Sequence, residues 1–179
     1  MDLATVAIIM GGVLAVPYVL LLLMPGRMRA WLTGFPRNKP AGRLLTFVGL
    51  AWTEYLFYTI PLGQFEKFRP GLLIVVPVGL VLIIKFMEDL LAARALGALM
   101  LLIPAPLLSV ARWHESPWRL VVVVIAYIMV IKGVALVLSP HLFRKAVDFG
   151  LRSDAACRAW GALGLVVACF VAALGFLVF

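Results

Sequence analysis

Charge is what this sequence has least of. Asp, Glu, Lys and Arg make up 13% of its 179 residues against 65% hydrophobic residues, and the mean hydropathy is +1.12. A water-soluble chain of this size has no interior able to take up so much apolar surface. Acids are scarcer still, eight against sixteen bases, which leaves a net charge of +8. Histidine and cysteine occur only twice each. Cys157 and Cys169 stand in or near one helix, too far apart to bridge each other. His114 and His141 are expected on opposite membrane faces, so no metal site within one chain is expected. There is no Ser-His-Asp set, glycine-rich phosphate loop or HExxH. A non-enzymatic protein without metal or cofactor is therefore expected. A basic start is missing too: Met1 is followed by Asp2, and the first apolar run ends in Pro25-Gly26-Arg27-Met28-Arg29, so a retained first helix is expected in place of a cleaved signal peptide.

What the chain does have is apolar runs, at Ala4 to Met24, Leu44 to Ile60, Leu72 to Ile84, Ala95 to Ala111, Leu120 to Leu138 and Ala159 to Phe179. A helix needs about 20 residues to cross the hydrocarbon. The expectation is an all-α integral membrane protein of six transmembrane helices, one membrane domain built from hairpins at 1–62, 70–111 and 118–179, with a tight turn near Asp89 inside the second.

The first and third hairpins resemble each other. Positions 115 apart match without a gap at Pro25/Pro140, Arg29/Arg144, Arg37/Arg152, Ala41/Ala156, Arg43/Arg158, Gly49/Gly164 and Leu50/Leu165. This predicts a parallel internal repeat, about 4–62 and 119–177, because an even number of crossings separates the copies. Each repeated loop also carries an amphipathic pattern: Met28, Trp31, Leu32 and Phe35 in the first, Leu142, Phe143, Ala146, Val147 and Leu151 in the second. Both read as short helices lying in the membrane interface, the second opened by Ser139 as a capping hydroxyl before Pro140.

Lys and Arg are retained on the cytoplasmic side of short loops. Arg27, Arg29, Arg37, Lys39 and Arg43 crowd the first repeated loop; Arg144, Lys145, Arg152 and Arg158 crowd the second; and Lys85 and Arg94 flank the middle turn, where Lys85 is expected to pair with Asp89. The opposite face has Lys67, Arg69, Arg112 and Arg119, with Trp113 and Trp118 as interfacial anchors. Both termini should face outward from a bacterial inner membrane. The positive charge then describes a membrane face, not a nucleic-acid surface. Arg27, Arg29, Arg37, Arg43, Arg144, Lys145, Arg152 and Arg158 are the candidate contacts for anionic lipid headgroups, each worth about 1 kcal/mol near the surface.

The string Lys132-Gly133-Val134-Ala135-Leu136-Val137-Leu138-Ser139-Pro140, followed by Phe143-Arg144-Lys145, Arg158 and Gly161, resembles the small two-helix bacterial membrane proteins of the DUF2065 (YjeT-like) type. The resemblance covers the last 50 or so residues, about 130–179. The family's acid before the glycine is here Lys132, which inverts the charge. The resemblance implies a hairpin module and no activity.

Two charges fall within the hydrocarbon. Glu54 and Lys132 lie roughly 16 Å and 12 Å from the cytoplasmic ends of their helices, counting about 1.5 Å per residue from Arg43 and Pro140. An intramembrane charge costs about 2.5 kcal/mol or more and marks a bundle interior, a partner or a polar cavity. With Tyr58 and Tyr127, and with Tyr55, Thr53 and Thr59 as further donors, they are the candidate polar centre. Neither charge recurs in the repeat: Glu54 aligns with Cys169 and Lys132 with Pro17. Pro17, Pro77, Pro104 and Pro106 interrupt apolar runs without a symmetric pattern, which suits kinks as well as a pathway. The expected role is a structural or accessory component of a membrane assembly, with a protein partner or a homo-oligomer. The alternative is a small transporter or channel using Glu54 and Lys132, and the third is a lipid-handling protein.

Overall fold

The computed structural model describes residues 2–59, 63–86 and 90–178. Among these the chain is helical nearly throughout, without strands. The long helices are α1 (Leu3–Leu23), α3 (Lys39–Thr59), α4 (Arg69–Phe86), α5 (Leu91–Leu102) continued by α6 (Pro104–Arg112), α7 (Arg119–Leu138) and α9 (Asp154–Leu177); two ten-residue helices, α2 (Pro25–Gly34) and α8 (His141–Gly150), stand in the repeated loops. Among the described residues four segments are long and apolar enough to cross a membrane: Leu3–Leu23, Leu91–Arg112, Arg119–Leu138 and Asp154–Leu177. α3 is as long as α1, but Arg43, Glu54, Tyr55 and Tyr58 lower its hydropathy.

Proline and small polar residues set the helix ends. Pro25 opens α2 at a position where its missing N–H costs nothing, and Pro104, which cannot donate to the preceding turn, separates α5 from α6. Asn38 caps α3, its Oδ1 accepting from the Ala41 N–H at 3.1 Å, and Ser153 caps α9, its Oγ accepting from the Ala156 N–H at 3.2 Å. The two caps stand 115 residues apart, so the repeated loops share a capping geometry as well as residues. Ser139 does not cap: α8 begins at His141 with Pro140 as its N-cap and no side-chain bond, because the Ser139 carbonyl already accepts from the Leu142 N–H at 2.9 Å. Asn38→Ala and Ser153→Ala should each lower stability by about 1 kcal/mol, read as a shift of the thermal unfolding midpoint in detergent, whereas Ser139→Ala should leave it unchanged.

Close approach through small residues holds the bundle together, as expected where lipid offers apolar groups no less favourable surroundings than another helix. α1 and α9 run antiparallel: a Cβ at Gly11 would lie 2.8 Å from the Ala168 carbonyl oxygen and from Ala172, and one at Gly175 would lie 2.8 Å from the Ala4 oxygen. Between them Gly164 faces the Tyr18 ring. α3 and α5 run parallel, with Gly42 against Ala92 and Gly49 against Leu99. α5 and α7 run antiparallel, with Gly97 and Gly133 each against the other's carbonyl oxygen. α4 packs on α3. Leu3, Leu107, Ala111, Val122 and Ala126 form a cluster tying α1, α6 and α7 at one end. Leu21, Val147, Leu151 and Cys157 form a second at the other, the basic end, where α2 and α8 lie.

The burial pattern follows the same interval of 115 residues. Ala7/Val122, Gly11/Ala126, Pro25/Pro140, Gly42/Cys157, Thr46/Gly161 and Gly49/Gly164 are pairs in which both members are buried. The partners nevertheless differ, since α9 turns this small-residue face to α1 and α3 turns its own to α5.

Candidate functional site

Glu54 and Lys132 do not meet. α3 packs on the face of α5 that carries Leu91, Ala92 and Leu99, and α7 on the face that carries Gly97 and Leu101; at about 100° per residue these faces point in nearly opposite directions. No ion pair joins the two charges among the described residues. Glu54 is half-buried and Lys132 exposed. Tyr58 and Tyr127 are exposed, at 69% and 58%. Thr53 and Thr59 donate to carbonyls of their own helix, Gly49 at 2.9 Å and Tyr55 at 2.9 Å, so neither hydroxyl is spare for a shared centre. Asp89, expected to pair with Lys85, lies outside the described residues, as does Glu88; Lys85 itself stands over the Phe86 ring at 5.8 Å.

The basic end is the more organised region. The end of α2 meets α8 through tilted aromatic contacts, Phe35 at the α2 C-terminus lying 5.7 Å from Phe143 and 5.1 Å from Trp31 between ring centroids, and both helices are held to the bundle by Met28, Leu32 and Phe143 against the cluster around Cys157. Arg27, Arg29, Arg37, Arg43, Arg144, Lys145, Arg152 and Arg158 are all exposed. Arg144 reaches Asp148 at 3.8 Å and Arg152 covers the Phe149 ring at 4.4 Å; both are local arrangements that leave the charge at the surface. At the far end the cations are engaged differently: Arg69 donates to the Tyr58 carbonyl and to Glu66, and Arg119 donates to the Arg112 and His114 carbonyls. There Arg69 and Arg119 tie off the C-terminal ends of α3 and α6.

Among the described residues, depressions open at the basic end. One, of about 440 Å³, lies between α2, α8 and the start of α5 and is lined by Thr33, Arg37, His141 and Arg144. A second, of about 430 Å³, lies in the angle between α1 and α2, walled by Val16, Pro17, Leu20, Met28 and Trp31 with Arg27 at its edge. A third, of about 350 Å³, lies in the angle between α7 and α8 and is lined by Lys132, Ala135, Leu142, Phe143 and Ala146, with Leu96 and Met100 of α5 as its other wall. A further groove of about 350 Å³ runs between α3, α4 and α5, apolar apart from Thr46, Thr53 and Arg94. Glu54 lines none of these four. The amphipathic helices of the loops were legible in the sequence; the depressions were not, because half of each apolar stripe faces the bundle (Val147, Leu151) and half lines an open groove (Leu142, Ala146).

No family model, curated protein or solved structure matches this chain.

Proposed function

We propose that the chain is a six-span protein of the bacterial inner membrane that acts without catalysis, as a structural or accessory component bound to anionic lipid through its basic end. The observation that carries this reading is the basic end of the bundle, where α2 and α8 present Arg27, Arg29, Arg144 and Lys145 and the flanking segments add Arg37, Arg43, Arg152 and Arg158, all exposed, while Met28, Leu32, Phe143 and Val147 dock on the core. Surface-lying helices with this division of faces bind the headgroup region, and the cations add attraction to anionic lipids. α3 and α4 join the four apolar spans because α3 lies alongside α5 at close range and α4 packs on α3. With the basic end in the cytoplasm, as retention of cations requires, both termini face outward, since α1 and α9 are antiparallel. The shared caps and the matching buried positions favour an internal duplication of the first and third hairpins.

Transport through Glu54 and Lys132 has less support, since it requires both charges at one cavity. The test is retention of lipid by protein extracted from bilayers of equal phosphatidylglycerol and phosphatidylcholine content. The retained fraction is expected to be several-fold enriched in the anionic lipid and to lose that enrichment at high salt. Recovery of both lipids in bulk proportion would overturn the reading.

A further inference from the structure

The two angle grooves occupy the same place in the two repeated units. Pro17 and Lys132, Leu20 and Ala135, Arg27 and Leu142, Met28 and Phe143, and Trp31 and Ala146 are each 115 residues apart, and one of each pair lines the α1–α2 groove while the other lines the α7–α8 groove. Each groove holds one cation and no acid among its lining residues, but on opposite walls. In the first the cation is Arg27, on the short helix, and its α1 counterpart wall carries Pro17; in the second the short helix carries Leu142 and the cation is Lys132, on the long helix. Arg27 has one weak sulfur acceptor, Met24 Sδ at 3.8 Å, and Lys132 has no hydrogen bond or ion pair among the described residues.

We infer that each groove binds one anionic phospholipid, its phosphate on Arg27 or on Lys132 and an acyl chain along the apolar wall. This rests on the lipid reading of the basic end and makes it specific. A free phosphate would have no use for walls of Leu20, Met28 and Trp31 or of Ala135, Phe143 and Ala146. A neutral hydrocarbon would have no use for a charge in the groove. An amphiphile with a negative headgroup satisfies both. Lys132, six residues inside the end of α7, reaches back toward the headgroup level along its four-carbon stem, so its partner is a lipid phosphate and not Glu54.

The experiment is native mass spectrometry of the full chain from phosphatidylglycerol–phosphatidylcholine nanodiscs, scoring discrete lipid adducts that survive activation. Two phosphatidylglycerol adducts are expected for the unaltered chain, one each for Arg27→Ala and Lys132→Met, none for the double variant, and two again for Lys132→Arg; lost sites should be about fivefold weaker in dissociation constant. Two adducts persisting in the double variant would overturn the grooves while leaving the bulk enrichment standing. Loss of bulk enrichment with two discrete adducts intact would instead overturn the basic-layer reading and keep the grooves. Phosphatidylcholine adducts equal in number to phosphatidylglycerol adducts would overturn the grooves' charge requirement.

Discussion

Gly11→Leu is expected to disrupt the bundle, and Gly12→Leu, one residue along the same helix, is expected to do almost nothing. At Gly11 even a methyl group would sit 2.8 Å from the Ala168 carbonyl oxygen, the Ala172 nitrogen and the Ala172 Cβ, whereas at Gly12 nothing lies within 4 Å. The obstacle at Gly11 is mostly backbone, which has no rotamer to retreat into. α1 and α9 must separate, and with them the antiparallel contact that runs to Gly175 at one end and Gly161 at the other. Overpacking of this kind costs about 1–3 kcal/mol, and a leucine against backbone belongs at the upper limit. The exposed Gly12 position should move stability by no more than about 0.5 kcal/mol. Unfolding of the two variants by SDS in mixed micelles, followed by tryptophan fluorescence, checks this. Equal midpoints for Gly11→Leu and Gly12→Leu would mean that the α1–α9 seam does not exist as described.

The second large effect belongs to the α5–α7 seam. Gly97 and Gly133 approach each other reciprocally, a Cβ on either lying 2.9 Å from the other's carbonyl oxygen. Gly97→Leu and Gly133→Leu should each cost about 2–3 kcal/mol by forcing the helices apart. The double variant should cost less than the sum by more than about 0.5 kcal/mol, the coupling expected of residues in contact. Once the first leucine has opened the seam, the second enters space already made. Strict additivity in the same SDS titration would argue that the two glycines do not share one interface. Because the seam also sets α7 against α5, the α7–α8 groove, which has Leu96 and Met100 as one wall, should change shape in either variant, and the phospholipid proposed for it should be held less tightly.

How far the sequence carried the reading depends on the kind of signal. The long apolar runs mark α1 and α7 almost to the residue, since prolines end them, Pro25 after Leu23 and Pro140 after Leu138, whereas α9 starts ahead of its run, at Asp154 behind the Ser153 cap, with Arg158 inside the helix. The short helices α2 and α8 were legible from the spacing of Met28, Leu32 and Phe35 and of Phe143, Val147 and Leu151. Ser139 before proline has the form of a capping residue for α8, yet it ends α7 and caps nothing, while Asn38 and Ser153 cap α3 and α9 from polar loops that hold other residues able to accept. The candidate polar centre was read from depth alone, and depth along a helix says nothing about azimuth.

By itself, then, the sequence determined that the chain is helical and apolar, where most of its long helices stop, which loops carry the cations and that the first and third hairpins share a pattern. Those properties are local: hydropathy, proline and charge act within a turn or two of the residues that bear them. Only the tertiary structure decided which helices meet. Small-residue faces at Gly42, Thr46 and Gly49 and at Cys157, Gly161 and Gly164 look interchangeable in the sequence, yet one takes α5 in parallel and the other α1 in antiparallel orientation. The physical reason is that lipid is as apolar as leucine, so hydrophobicity cannot choose a partner; fit between backbones at van der Waals distance chooses it. That choice put α5 between Glu54 and Lys132, and it left Lys132 at the α7–α8 groove.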